Sequence, residues 1–302
     1  MKHLLKMADL SKDDILEILE LAEKLKGYNK DKIEHYMLRN KTLGMIFAKS
    51  STRTRVSFEV GISQLGGRGL FLSSNDLQLG RGEPIADTAK VLSRYLDGIM
   101  LRTFAQQDVE DFAKYGSIPV INGLTDYAHP CQVLADLMTV KEYKQNFDGL
   151  KLCFIGDGFN MANSLVVGGL TVGMDVCVAS PAGYEVEAGI RAFGDKYPGK
   201  LTLTDCPAAA AKNADVLITD VWYSMGQADI EERRLIFKDY RIDGEIMKHA
   251  NKGAMVLHCL PAHKGEEISS EVFAAHEHQI LDESENRLHV QKAVMVKLMG
   301  GG

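Results

Sequence analysis

Hydrophobic and polar positions alternate along this chain in two distinct rhythms. From Ser11 onward, Ile15, Ile18, Leu19, Ala22 and Leu25 recur three and four residues apart. That spacing predicts an amphipathic helix. Ser11 serves as its N-cap, with Asp14 three residues on closing a capping box that is weaker than Glu would make. Beyond it come short apolar runs that predict buried strands: "TLGMIFA", "GIMLRT", "IPVING", "LKLCFIG", "DVCVAS", "VLITD" and "AMVLHCL". Helical patterns separate them, and this alternation predicts an α/β fold of βαβ units, with parallel sheets flanked by helices. The polar stretch "KEYKQNFDG", residues 141 to 149, interrupts the rhythm near the midpoint, and a fresh βαβ unit starts at "LKLCFIGDG". A domain boundary is therefore expected between residues 147 and 148. The last stretch, "ENRLHVQKAVMVKLMG", has helical periodicity and is expected to pack back on the first domain from about residue 286, leaving 148–285 as the second. No internal repeat or low-complexity segment interrupts the pattern.

Composition narrows the function classes. The 302 residues are 45% hydrophobic and 25% charged, enough for two modest cores. A net charge of −6 argues against a general nucleic-acid or anionic-membrane surface, and no apolar run is long enough to span a bilayer. The opening "MKHLLKMADLSKDD" meets charge too soon for a secretory signal. The five cysteines are odd in number and scattered, and two lie in strand-like runs, so a reduced, cytoplasmic protein is expected.

One stretch stands apart chemically. "KSSTRTRVSFEVG", residues 49 to 61, crowds hydroxyls and guanidiniums where the strand "TLGMIFA" gives way to a helix. A helix N-terminus has unpaired N–H groups and a dipole that favours negative charge. Ser51, Thr52 and Thr54 add hydroxyl donors, and Arg53 and Arg55 add forks that match phosphate. A capped helix with solvated arginines is the plainer alternative, but a cap needs one hydroxyl and this stretch offers several. The glycine spacing of a P-loop is missing. The expected ligand is a phosphate.

"STRTR" followed by "SFE" resembles the carbamoyl phosphate site of the aspartate/ornithine carbamoyltransferase family. "DLQLGRGEPIADTAKVLSRYLDGIMLRTF" (76 to 104), "HPCQ" (129 to 132), "GDGFN" (156 to 160), "DVWYSMG" (220 to 226), "HCLPAH" (258 to 263) and "ENRLH" (285 to 289) follow in the family's order. "HPCQ", "HCLPA" and "SMG" resemble the ornithine branch. Phe159, where that branch usually has Asn, and Ala48, where it often has Glu, depart from it.

The resemblance implies two domains with the active site in the cleft between them. It implies transfer of the carbamoyl group from carbamoyl phosphate to the δ-amine of ornithine, giving citrulline and phosphate without a covalent enzyme intermediate. The first domain would bind carbamoyl phosphate and the second ornithine, with no metal or organic cofactor. Ser51, Thr52, Arg53 and Thr54 would hold the phosphate, and Arg102 would reach phosphate and carbamoyl oxygen. His129 would donate to the carbonyl oxygen, Gln132 would accept from the carbamoyl NH₂, and Pro130 and Cys131 complete that motif. Arg287 would close on carbamoyl phosphate. Cys259 would lie near the δ-amine and the Leu260 carbonyl on the carbamoyl NH₂. Asn160, Asp220, Ser224 and Met225 would hold the amino-acid head. Arg102, His129 and Cys259 would be the catalytic residues. The family's trimer is implied too, with Gln78 reaching a neighbouring subunit's site and assembly beyond the trimer left open.

Three rivals have less support in the residues. A dinucleotide-dependent oxidoreductase would need a third glycine where Met161 stands, and an acid where "DVCVAS" ends in Ser180-Pro181. A carbamoyltransferase for another amine, such as putrescine, would have little use for Asp220 and "SMG". A catalytically dead relative would not be expected to keep its donors in every motif. A zinc site on His258, Cys259 and His263 is disfavoured because adjacent ligands share a tetrahedral ion poorly.

Overall fold

The computed structural model describes residues 1–74, 77–78, 82–223 and 229–300. The chain divides into two compact units, Met1–Met138 with Glu285–Gly302, and Thr139–Ser284.

The first unit opens with α1 (Lys12–Lys30), β1 (Thr42–Phe47), α2 (Thr52–Gln64) and β2 (Arg68–Ser73). It continues through α3 (Ile85–Leu92), β3 (Gly98–Arg102), α4 (Gln106–Tyr115), β4 (Val120–Leu124) and the start of α5 (Pro130–Lys144). The capping box of α1 forms as the spacing predicts, with Ser11 Oγ accepting from Asp14 N–H at 3.0 Å and Asp14 Oδ2 accepting from Ser11 N–H at 3.1 Å. Its predicted apolar face, Ile15, Ile18, Leu19, Ala22 and Leu25, is buried. The four strands form one parallel sheet in the order β2-β1-β3-β4. β1 and β3 are central and almost wholly buried, because each is a continuous apolar run that can cover both faces of a parallel sheet. The hydrophobic pattern does not single out β2, "RGLFLS", an edge strand that keeps much of its surface exposed.

The second unit holds β5 (Lys151–Ile155), α6 (Asn160–Val172), β6 (Asp175–Ala179), α7 (Ala188–Gly194), β7 (Leu201–Thr204) and α8 (Pro207–Ala211). After them come β8 (Val216–Thr219), α9 (Ile230–Phe237), α10 (Gly244–Met247), β9 (Met255–His258) and the long α11 (Ser270–Met299), whose last turns belong to the first unit. Its five strands are parallel in the order β7-β6-β5-β8-β9. β7 is only four residues long and is also not singled out by the pattern. α11 starts at Ser270, well before the periodic stretch that begins at Glu285.

Both sheets contain a point where the connections diverge. In the first, β1 leads outward to β2 and β3 leads outward to β4. In the second, β5 leads toward β6 and β8 toward β9. Ligands of open parallel sheets bind at such points, beyond the carboxyl ends of the strands.

Candidate active site

In the first unit the divergence point is occupied by the hydroxyl-rich stretch. Ser51 is extended (φ −162°) and caps α2, its Oγ accepting from Thr54 N–H at 3.2 Å. Thr54, fully buried, is where the donors meet. Its Oγ1 lies 2.8 Å from Arg287 Nη2, 3.4 Å from Arg102 Nη1 and 3.1 Å from Ser51 Oγ. A hydroxyl oxygen has two lone pairs, so three donors on one neutral oxygen leave donor capacity to spare. Arg53, on the first turn of the same helix, has a buried Nε with no hydrogen-bond partner among the described residues. An oxyanion at the α2 N-terminus would satisfy this cluster.

Register explains why these groups meet. Arg102 is the last residue of β3, paired with Phe47 at the end of β1, and its carbonyl accepts from Ala48 N–H at 2.8 Å. β4 ends at Leu124, and the following loop delivers His129 and Pro130 to the start of α5. His129 is buried, and its pKa lies well below the usual histidine value because burial and then the positive charges of Arg287 and Arg102 oppose protonation. It is therefore a neutral imidazole, able to donate a hydrogen bond without bringing another charge. Gln132 donates to Asp136 Oδ1 at 2.9 Å, one turn along α5. The Cys131 thiol points to the Asn122 carbonyl at 3.5 Å, and burial pushes its pKa up to about 12, so it stays protonated. Gln78 is exposed, in the segment between β2 and α3.

In the second unit the divergence point carries the other candidates. The "GDG" turn after β5 depends on its glycines. Gly156 has φ 148°, and a Cβ on Gly158 would stand 2.3 Å from the Glu185 carbonyl carbon. Phe159 caps α6 through its backbone only, and Asn160 begins the helix, mostly buried. Asp220 follows β8, and its Oδ1 accepts from Val221 N–H at 2.7 Å and from Cys259 Sγ at 2.9 Å. Asp157, Phe159, Asn160, Asp220 and Trp222 line one small cavity. Ser224 and Met225 lie outside the described residues.

After β9, Leu260 adopts a left-handed backbone (φ 57°), a sparsely populated conformation for a branched side chain, and its N–H donates to His258 Nδ1 at 2.9 Å. His258 Nε2 then carries the proton and donates to Glu267 at 3.0 Å. Donor atoms of Asp220, His258 and Cys259 lie within 4.8 Å of one another. With both ring nitrogens engaged, His258 has no lone pair to give an ion.

Sequence reasoning passed over two groups. Lys49 pairs with Asp126 at 2.6 Å beneath Phe104, joining the loops after β1 and β4. Asp157 is paired with Arg233, whose Nε also donates to the Trp222 carbonyl. A charge inside a glycine-rich turn is the one local signal that could have pointed to Asp157.

Comparison with known proteins also finds two consecutive segments in the chain. Residues 2–142 match the family described as aspartate/ornithine carbamoyltransferase, carbamoyl-P binding domain, and residues 148–298 match its Asp/Orn binding domain. The ornithine carbamoyltransferase of Carboxydothermus hydrogenoformans is 51% identical over 304 residues, covering 99% of this chain and 98% of its own. Among solved structures, the ornithine carbamoyltransferase of Pyrococcus furiosus superposes with a TM-score of 0.95 at 48% identity, covering 100% of this chain and 98% of that one. The anabolic enzyme of Campylobacter jejuni gives 0.92 at 42% identity, with 99% of each chain covered. The chain belongs to the aspartate/ornithine carbamoyltransferase family.

Proposed function

We propose that this protein transfers the carbamoyl group of carbamoyl phosphate to the δ-amine of L-ornithine, giving L-citrulline and phosphate. The observation that carries the reading is the convergence of Arg102, Arg287 and Ser51 on Thr54 at the N-terminus of α2. Residues 1–147, with the helix from about 286, serve carbamoyl phosphate, and residues 148–285 serve ornithine.

The chemistry needs no enzyme nucleophile. A neutral amine attacks the carbonyl carbon, negative charge grows on the carbonyl oxygen, and phosphate departs. Fixed donors at both oxygens lower that barrier by electrostatic preorganisation. Ser51, Thr52, Arg53 and Thr54 hold the phosphate, and Arg102 and Arg287 bridge to the carbamoyl group. His129, neutral, donates to the carbonyl oxygen. Gln132 and the Leu260 carbonyl accept from the carbamoyl NH₂, with Pro130 and Cys131 shaping that turn.

An alkyl ammonium titrates near 10.4, so the δ-amine has to shed a proton before attack. The Cys259 thiol donates to Asp220 Oδ1 at 2.9 Å, which fixes its sulfur beside the amino-acid site, where it would assist the amine. Asn160 and Asp220 receive the amino-acid head, joined by Ser224 and Met225.

Homotrimer formation is supported by exposed apolar side chains on the first unit. Val56 and Val60 of α2, and Leu70 and Phe71 on opposite faces of the edge strand β2, are exposed, and an open strand edge invites a second copy. Gln78 is exposed in the segment that follows β2. A cytoplasmic setting fits five free cysteines, and no helix among the described residues is long and apolar enough to cross a membrane.

Purified protein assayed for carbamoyl transfer with ornithine, putrescine and aspartate side by side tests the reading. Ornithine is expected to be the preferred acceptor by orders of magnitude. Preference for putrescine would move the function to another amine.

A further inference from the structure

The small cavity of the second unit contains one carboxylate to which no role has been given. Asp157 sits in the turn between β5 and α6 and lines that cavity together with Asp220 and Asn160. Its Oδ2 is paired with Arg233. Its Oδ1 has no hydrogen-bond partner among the described residues, and the side chain keeps 19% of its surface exposed. Asp220 is more heavily committed, since its Oδ1 already takes the Val221 N–H and the Cys259 thiol.

Arg233 is anchored where it stands. It is 5% exposed, its Nε donates to the Trp222 carbonyl at 2.5 Å, and its guanidinium lies over the rings of Tyr184 (4.9 Å) and Phe237 (5.1 Å). It cannot turn into the cavity without losing all of these, so its effect there is exerted through Asp157. Two carboxylates with one buried guanidinium leave the cavity with one net negative charge. That balance suits an ammonium group, whereas two unbalanced carboxylates would repel each other and one would take up a proton.

Resting on the ornithine reading above, we propose that Asp157, held by Arg233, is a second carboxylate for the α-ammonium group of the amino-acid substrate. Asp157 is then a binding residue, and Arg233 a positioning residue that fixes its rotamer and charge. The competing possibility is that the pair only ties α9 to the β5–α6 turn.

Two substrate analogues that lack the δ-amine separate these possibilities. 2-Aminopentanoate keeps the α-ammonium and α-carboxylate, whereas pentanoate keeps only the carboxylate. Inhibition constants against ornithine are measured for both on wild type, Asp157→Asn and Arg233→Lys. The proposal expects Asp157→Asn to weaken 2-aminopentanoate at least tenfold while leaving pentanoate and the KM for carbamoyl phosphate within about twofold. Arg233→Lys, which keeps the charge but not the fork, should show a smaller loss of the same selectivity. Equal weakening of both analogues, or no weakening of either, would overturn the proposal in favour of a structural pair. Failure of wild type to bind either analogue would instead remove the ornithine reading, and this inference with it.

Discussion

Thr54 Oγ1 accepts a hydrogen bond from Arg287 at 2.8 Å although 233 residues separate them in the chain. The contact joins the first turn of α2 to α11, and it places a guanidinium from the far end of the sequence beside the hydroxyl cluster read from its beginning. Arg102 from β3 reaches the same oxygen at 3.4 Å.

Thr54→Val keeps the shape of this buried residue and removes the oxygen on which the donors converge. Leaving a buried donor short of its partner costs about 1–3 kcal/mol. The midpoint of thermal unfolding should therefore fall, and the dissociation constant for carbamoyl phosphate should rise about tenfold or more. Binding calorimetry alongside thermal melts checks both, and a variant that binds carbamoyl phosphate like wild type would show that Thr54 is only a cap.

His129 gives a pH prediction. Its folded pKa lies well below 6.5, because of burial first and the charges of Arg287 and Arg102 second. As pH falls below 6.5 the unfolded chain takes up a proton that the folded chain refuses, so stability falls with acid in that window. His129→Gln lacks this liability. Denaturant midpoints for wild type should drop faster than those of the variant between about pH 6.5 and 5, and parallel curves would mean that His129 is not held neutral.

How much of this could be read from residues alone depended on locality. β1, β3, β5, β8 and β9 were legible because a parallel strand buried on both faces is a continuous apolar run. β2 was not, because an edge strand with Leu70 and Phe71 exposed has no buried face to impose a pattern. The first half of α11 was hidden because it buries Glu283 among its apolar residues, which blurs the helical period. The stretch from Ser51 to Thr54 announced itself because four consecutive residues crowd hydroxyls and a guanidinium at one helix start. Asp157 and Arg233 did not, because a pair 76 residues apart leaves no mark of its pairing in either segment, and the charge in the glycine-rich turn was the one local hint. "EERR" reads as a solvated charge run, yet its first arginine is buried at 5% exposure.

Lys292 carries a second pH effect, of different origin. It is fully buried on α11, its Nζ donates to the neutral amide of Gln64 at 2.9 Å, and burial pulls its pKa down to about 8 from 10.5. Between about pH 8 and 10.5 the unfolded chain holds a proton that the folded chain lacks, so stability rises with pH through that window. Lys292→Met, of similar length, should be at least as stable as wild type at pH 7. Its advantage should shrink as pH rises from 8 toward 10, and a difference independent of pH would contradict this account of Lys292.

Trimer formation predicts complementation between inactive variants. A closed ring uses a repeated head-to-tail contact, so if Gln78 acts across it, each copy would give Gln78 to one neighbour and receive it from the other. If Gln78→Ala and Arg53→Ala subunits are dissociated and reassembled together, about three-quarters of rings are mixed, and each mixed ring has one site with both residues intact. Activity should return to about a quarter of the wild-type level. Mixed rings that form and stay inactive would show that Gln78 does not act across the interface.

The central claim is that the N-terminus of α2 binds carbamoyl phosphate, while Asp220 serves the amine substrate. Equilibrium binding of carbamoyl phosphate to Arg53→Ala and Asp220→Ala, measured side by side with wild type, tests it most directly. A charge-assisted bond to phosphate is worth about 1.5–3 kcal/mol, so Arg53→Ala should bind roughly 10- to 150-fold more weakly. Asp220→Ala should bind it within about twofold of wild type while losing its use of ornithine. Unchanged affinity in Arg53→Ala, or a larger loss in Asp220→Ala, would contradict the account.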